Sequence, residues 1–130
     1  MLACIQGNEE ITQYLLLKNA NVNHKNTKLM TALHIACIKN KYNLVKVLVN
    51  FNPELYTKDI NGYCSFHYAI KKDLVDIIDY LCKYSGFNFF DKSILCAEGN
   101  NLSLAICSES LNVLKHFVGK QSQVQVKNNV

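Results

Sequence analysis

Arginine and tryptophan are absent from this chain of 130 residues, proline occurs once, and there are only five glycines. Arginine makes the forked contacts to phosphate and guanine on which most nucleic-acid readout depends, so its absence counts against sequence-specific nucleic-acid binding. Five glycines leave little material for a phosphate-cradling loop, and no G-x-x-x-x-G-K-[ST], G-x-S-x-G or H-E-x-x-H pattern occurs. No apolar run approaches the roughly 20 residues of a membrane helix, so no membrane span is expected. No basic-then-apolar leader opens the chain. Six cysteines are present (Cys4, Cys37, Cys64, Cys82, Cys96 and Cys107), but no two form a C-x-x-C pair, which gives a zinc ribbon or a thioredoxin site no support. Without a leader the expected compartment is intracellular, cytoplasmic or nuclear. The cysteines are then expected as small buried side chains and not as disulfides.

The composition is that of one globular domain, 49% hydrophobic and 18% charged. A chain of this size buries enough surface to stand without a metal or disulfide staple. All 14 basic residues are lysines, and against 10 acidic ones they leave a net charge of +4. That charge supports weak, non-specific attraction to polyanions and no more. Sixteen asparagines accompany the lysines, and both residues have A/T-rich codons, so this bias is read first as genome composition.

The chain repeats itself. Ala3, Ala36 and Ala69 are spaced by 33 residues, and Ala105 follows after 36. Ile11, Leu44, Ile77 and Val113 fall in one column of this register, and Leu15, Leu48, Leu81 and Phe117 in another. Leu16, Val49, Cys82 and Val118 form a third. Four units agreeing at these columns define a repeat protein. Each unit reads as two short helices: in unit two, one over Ala32–Lys41 and one over Leu44–Phe51, each with its apolar residues at helical spacing. Between them lies a polar turn, Lys39-Asn40-Lys41, in which the asparagine suits a left-handed helix end. Helices this short are marginal alone, so the units must stack to bury their apolar faces.

Three segments carry a family resemblance. Unit two contains Thr31-Ala32-Leu33-His34-Ile35-Ala36, unit three Gly62-Tyr63-Cys64-Ser65-Phe66-His67-Tyr68-Ala69, and unit one ends Asn19-Ala20-Asn21-Val22-Asn23. These resemble the T-P-L-H-x-A and G-A-D-V-N motifs of the ankyrin repeat. The resemblance implies an all-α ankyrin-repeat solenoid of stacked helix-turn-helix units with projecting turns. It divides the chain into a partial repeat at 1–24, repeats at 25–57 and 58–90, a degenerate repeat at 91–118, and a polar C-terminal tail at 119–130. The first repeat is truncated, which suggests a fragment of a longer protein. The three extra residues before unit four fall within 90–100 and make an irregular connector whose shape does not follow from sequence.

The resemblance also implies what the side chains do. His34 and His67 are the obvious acid/base candidates, but in the family this histidine opens the first helix and bonds to the neighbouring turn. Cys4 and Cys37 share a column that takes small residues, so a metal site is not expected there, nor is any cofactor. Asp73, Asp76 and Asp79 read as one solvated helix face. His24 and His116 join no visible constellation. An enzyme reading has no positive support.

What remains is surface. In proteins of this kind, turn tips and the exposed side of the first helices bind other proteins. By column the candidate partner-binding residues are Gln6 (with Ile5), Lys28 and Met30 (with Thr27), Lys39 (with Ile38), Ile60, Asn61, Tyr63, Lys71 and Lys72. Met30, Ile60 and Tyr63 would form an apolar centre flanked by Lys28, Lys39, Lys71 and Lys72. The expected partner is then a protein with an apolar anchor and acidic flanks. The alternative is lysine-driven binding to nucleic acid or another anionic surface. A further reading makes Asn23 a hydroxylation substrate. Uncapped ends would also allow weak self-association. With unit one cut and unit four decayed, units two and three should be the most protected in hydrogen exchange; uniform protection across 1–118 would contradict this.

Overall fold

The computed structural model describes residues 8–128, with side chains to 119. Seven helices and no strand occur among the described residues: α1 (Glu9–Leu17), α2 (Ala32–Ile38), α3 (Tyr42–Val49), α4 (Ser65–Lys71), α5 (Val75–Tyr84), α6 (Asn101–Cys107) and α7 (Leu111–Asn128). First helices pack on first helices (α2 on α4, α4 on α6) and second helices on second (α1 on α3, α3 on α5, α5 on α7), which makes two layers of a solenoid.

The alanine column explains where each first helix stops. The carbonyls of Ala36, Ala69 and Ala105 accept the N–H of Lys41, Leu74 and Ser110, each at 2.9 Å. That bond requires a left-handed residue just beyond the helix, supplied by Asn40 (φ 54°), Asp73 (φ 61°) and Glu109 (φ 54°). Asn40 does what its sequence context predicts. Asp73 and Glu109 show that the geometry is imposed by the stack even where the residue is less suited to it.

The next link runs between units. Asp73, read from sequence as part of a solvated helix face, precedes α5 and reaches into unit four. Its Oδ1 accepts from the Val113 N–H at 2.8 Å, and its Oδ2 from the Asn112 side chain at 2.9 Å. Asp79 is engaged too, with Lys83 at 3.1 Å and His116 at 3.2 Å. Of the three acids, Asp76 alone is classed as exposed.

Residues 85–100 have their own reason for irregularity. Phe87 and Phe89 are buried, the first against Phe66 (4.4 Å between ring centres) and the second stacked on Phe117 at 4.5 Å. Two aromatic anchors only two residues apart fix the path before the turn begins. Asn101 Nδ2 then donates to the Phe89 carbonyl at 3.0 Å. The chain end also departs from the sequence reading. Where a polar tail from 119 is expected, α7 continues as helix to Asn128. No proline interrupts 119–128, and glutamine, lysine and valine all tolerate helix. The cysteines divide: Cys37 and Cys64 are buried, Cys82 and Cys96 half-buried, and Cys107 is exposed. Burial pushes the Cys37 thiol up to about 12. Cys4 lies outside the described residues.

The two histidines are built into the helix starts. The Thr31 N–H donates to Nδ1 of His34 at 3.1 Å, so that nitrogen carries no proton. The proton sits on Nε2, which donates to the Tyr63 carbonyl at 2.9 Å and ties unit two to the tip of unit three. His67 accepts the Cys64 N–H at 2.8 Å in the same way, but its buried Nε2 has no protein hydrogen-bond partner in the structure.

Two predictions follow from this architecture. Burial, reinforced by Lys58, lowers the His67 pKa to about 4, and burial lowers that of His34. A depressed pKa means that the unfolded chain takes up protons first. Stability is therefore full above about pH 6.5 and falls progressively toward pH 4, by on the order of 3 kcal/mol for His67. Urea unfolding at stepped pH should show this decline, and His67→Gln should flatten it. Separately, Leu29 is held at φ 61° in the column where unit three has Gly62 at φ 83°. A left-handed leucine costs about 1–2 kcal/mol, part of which glycine returns as unfolded-state entropy. Leu29→Gly should thus raise the unfolding free energy by about 0.5–1 kcal/mol; a loss would mean that the leucine side chain outweighs the strain.

Candidate functional site

The tips of units two and three are built alike, each around one side-chain carboxyl or carboxamide oxygen. In the first tip, Asn26 Oδ1 accepts the N–H groups of Lys28 (2.9 Å) and Met30 (3.0 Å). In the second, Asp59 Oδ1 accepts those of Asn61 and Tyr63, both at 3.0 Å. A backbone bond closes each loop, from Asn26 to Met30 at 3.0 Å and from Asp59 to Tyr63 at 2.9 Å. Asparagine and aspartate favour such turns because the side chain stands in for a backbone acceptor. The tips are joined as well: the Ile60 N–H donates to the Lys28 carbonyl at 3.0 Å.

This geometry decides which tip side chains are free. Ile60 is 65% exposed and Leu29, which the sequence reading did not select, is 46% exposed. Met30 and Tyr63, placed with Ile60 in the expected apolar centre, are half-buried. Tyr63 lies against His67 (6.1 Å) and Tyr68 (5.5 Å), and Lys71 Nζ stands 4.3 Å from the centre of its ring. Its hydroxyl donates to the Glu98 carboxylate at 2.7 Å. That bond pushes the Tyr63 phenol up to about 12 and holds the Glu98 carboxyl below the usual carboxylate range. The Tyr68 hydroxyl in turn donates to Asp59 Oδ2, so both oxygens of this buried carboxylate are engaged.

Lys28, Lys39, Asn61, Lys71 and Lys72 are exposed. Lys39 and Lys72 share a column at the C-terminal caps of α2 and α4. Cations are favoured there by the helix dipole, so these positions have a local role besides any contact with a partner. The structure therefore groups Lys28, Leu29 and Ile60 on one joined pair of tips, and Tyr63, Lys71 and Glu98 on a second cluster. Thr27 is exposed and Ile38 half-buried. Gln6 and Ile5 lie outside the described residues. Asn23 is half-buried, and its Oδ1 accepts the Glu54 N–H at 2.8 Å, linking the connectors of units one and two.

Leu29 was legible in principle, because column comparison places it opposite Gly62 and flags a side chain on a backbone that favours none. Glu98 was not, since it stands in the irregular segment where the register is lost.

Comparison with known proteins places this architecture. Residues 1–93 match the family model for ankyrin repeats in three copies. A protein of Acanthamoeba polyphaga mimivirus named as an ankyrin repeat protein is 34% identical over 70 residues, 54% of this chain and 9% of its own length. A Rickettsia felis protein so named is 31% identical over 77 residues, 59% of this chain and 20% of its own length. A second mimivirus protein is 32% identical over 79 residues, 58% of this chain and 18% of its own. The matched region thus spans a fifth or less of each relative. Ankyrin repeats are in general protein–protein interaction modules, typically without catalytic activity. With the repeat columns, the stacked helix pairs and a family match over most of its length, the chain belongs to the ankyrin repeat family.

Proposed function

We propose that this chain is a non-catalytic protein-binding module that engages a protein partner through its turn tips and the exposed side of its first helices. One observation carries the reading: Leu29 and Ile60 stand exposed on two tips that the Ile60–Lys28 backbone bond holds together. Leu29 keeps that position on a left-handed backbone, a cost that a glycine in its column avoids. Lys28 stands on the same joined tips, and Lys39, Lys71, Lys72, Met30, Tyr63, Asn61 and Gln6 are the further candidate contacts. The partner that fits is a protein surface with an apolar anchor and acidic residues around it.

The test is selection from a displayed peptide library on the whole chain. Retained peptides should combine an apolar centre with acidic flanks. Each buried apolar anchor contributes about 1.5–3 kcal/mol, so the double substitution Leu29→Ser, Ile60→Ser should weaken retention at least about tenfold. Peptide affinity should change little with salt, whereas a lysine-driven polyanion contact falls steeply. Undiminished retention by the double variant, or selection of purely acidic peptides with steep salt dependence, would refute the proposal.

A further inference from the structure

A groove of about 420 Å3 lies between the second helices α3 and α5, walled by Tyr42, Tyr80 and Tyr84. Tyr42 meets Tyr80 edge-on at 5.8 Å between ring centres, and Tyr80 lies 4.5 Å from Tyr84, so the rings form one row across two units. Tyr42 is 38% and Tyr84 66% exposed. The stack does not require rings here, since Val75 and Leu111 occupy the column of Tyr42, and Val47 that of Tyr80. The hydroxyls are unused as well. Those of Tyr63 and Tyr68 donate to carboxylates, whereas those of Tyr42, Tyr80 and Tyr84 have no hydrogen-bond partner among the described residues.

The charges along the groove are unevenly engaged. Asp79 is held by Lys83 and His116. The Lys46 ammonium stands 5.6 Å from the centre of the Tyr42 ring. Asp76 is exposed and makes no ion pair among the described residues. The groove thus offers aromatic faces, three unused phenols and a carboxylate open to a cation.

That combination selects among the ways a protein holds a peptide. Strand addition needs a sheet edge, and no strand occurs among the described residues. An amphipathic helix needs an apolar groove, and this one is lined with charges. Phosphopeptides are read by arginine clusters, and the chain has no arginine. Proline-rich segments dock on aromatic-lined grooves in the polyproline II conformation. Such a segment has no internal hydrogen bonds, so its carbonyls are open to phenol donors. One of its turns advances ~9 Å, the scale of this row of three rings.

We infer that the α3–α5 groove binds a proline-rich segment of a partner protein, its prolines on Tyr42, Tyr80 and Tyr84 and a flanking lysine or arginine on Asp76. This contact is separate from the tips and selects the opposite charge: the lysine on the tips favours acidic flanks, the groove a basic one.

Fluorescence anisotropy on the intact chain tests it, with a set of labelled peptides that carry P-x-x-P and a basic or neutral flank. Basic-flanked members should bind best, and alanine in place of both prolines should weaken them at least about tenfold. Tyr84→Ala should cause a similar loss, and Tyr42→Ala is the second ring variant should circular dichroism show the first to be misfolded. Asp76→Asn should abolish the preference for a basic flank while the neutral peptides still bind. A wild-type chain that binds no member of the set, peptides that bind equally without their prolines, undiminished affinity in the folded ring variant, or a basic-flank preference that survives Asp76→Asn would overturn the inference. So would binding that Leu29→Ser, Ile60→Ser removes and the ring variants keep, because the peptide would then sit on the tips.

Discussion

The helices of units two and three are seven to ten residues long, shorter than the length at which a helix holds by itself in water. Each persists because a neighbouring unit covers its apolar columns and because its last carbonyls find donors. Both conditions are met by the same device. The left-handed residue after each first helix lets the column alanine close its final turn, and it also starts the second helix at the angle that lays Leu44, Ile77 or Val113 on the preceding unit. Helix end and unit contact are one geometric solution, which is why Asp73 and Glu109 are held left-handed where asparagine would sit more easily.

The tips are fixed by a second set of links, and these are not uniform. Unit two's imidazole reaches across to the Tyr63 carbonyl and so holds the tip of unit three. Unit three's imidazole makes no such bond, and the turn it faces is closed differently, by Cys96 and Gly99 pairing with each other at 3.0 Å. There the crossing is made by side chains, from the Tyr63 hydroxyl to Glu98. A phenol–carboxylate bond thus does for the fourth tip what an imidazole–carbonyl bond does for the third. The Tyr63 ring is half-buried, as is its column mate Met30, but only the tyrosine carries the hydroxyl that makes the crossing.

Much of this was legible in the sequence because a repeat is redundant. The period assigns Leu33, Phe66 and Leu102 a common role without any knowledge of contacts, and it placed both layers of helices. Sequence reading lost its footing where the redundancy ends. Nothing in the register indicates that Phe87 and Phe89 anchor the connector, because no other unit has them. Spacing alone puts Asp73 on a helix face, although it stands two residues before α5 begins and links units three and four. The polar stretch after 118 reads as a tail, yet α7 continues through it to Asn128, because a helix already nucleated propagates through residues that merely tolerate it.

The two surfaces left over have different origins, and this separates their roles. The apolar residues Ile11, Leu15, Leu102 and Ile106 belong to columns that are buried in units two and three. The tips are organised differently. Their backbones are organised by Asn26 and Asp59 from within, which frees the side chains at positions 27 to 29 and 60 to 61 from any duty in the stack. A change at Ile106 falls on a column that is buried in the preceding units, while a change at Ile60 falls on a side chain that the stack does not use. The side chains at the tips can therefore vary without touching the contacts on which the helices depend.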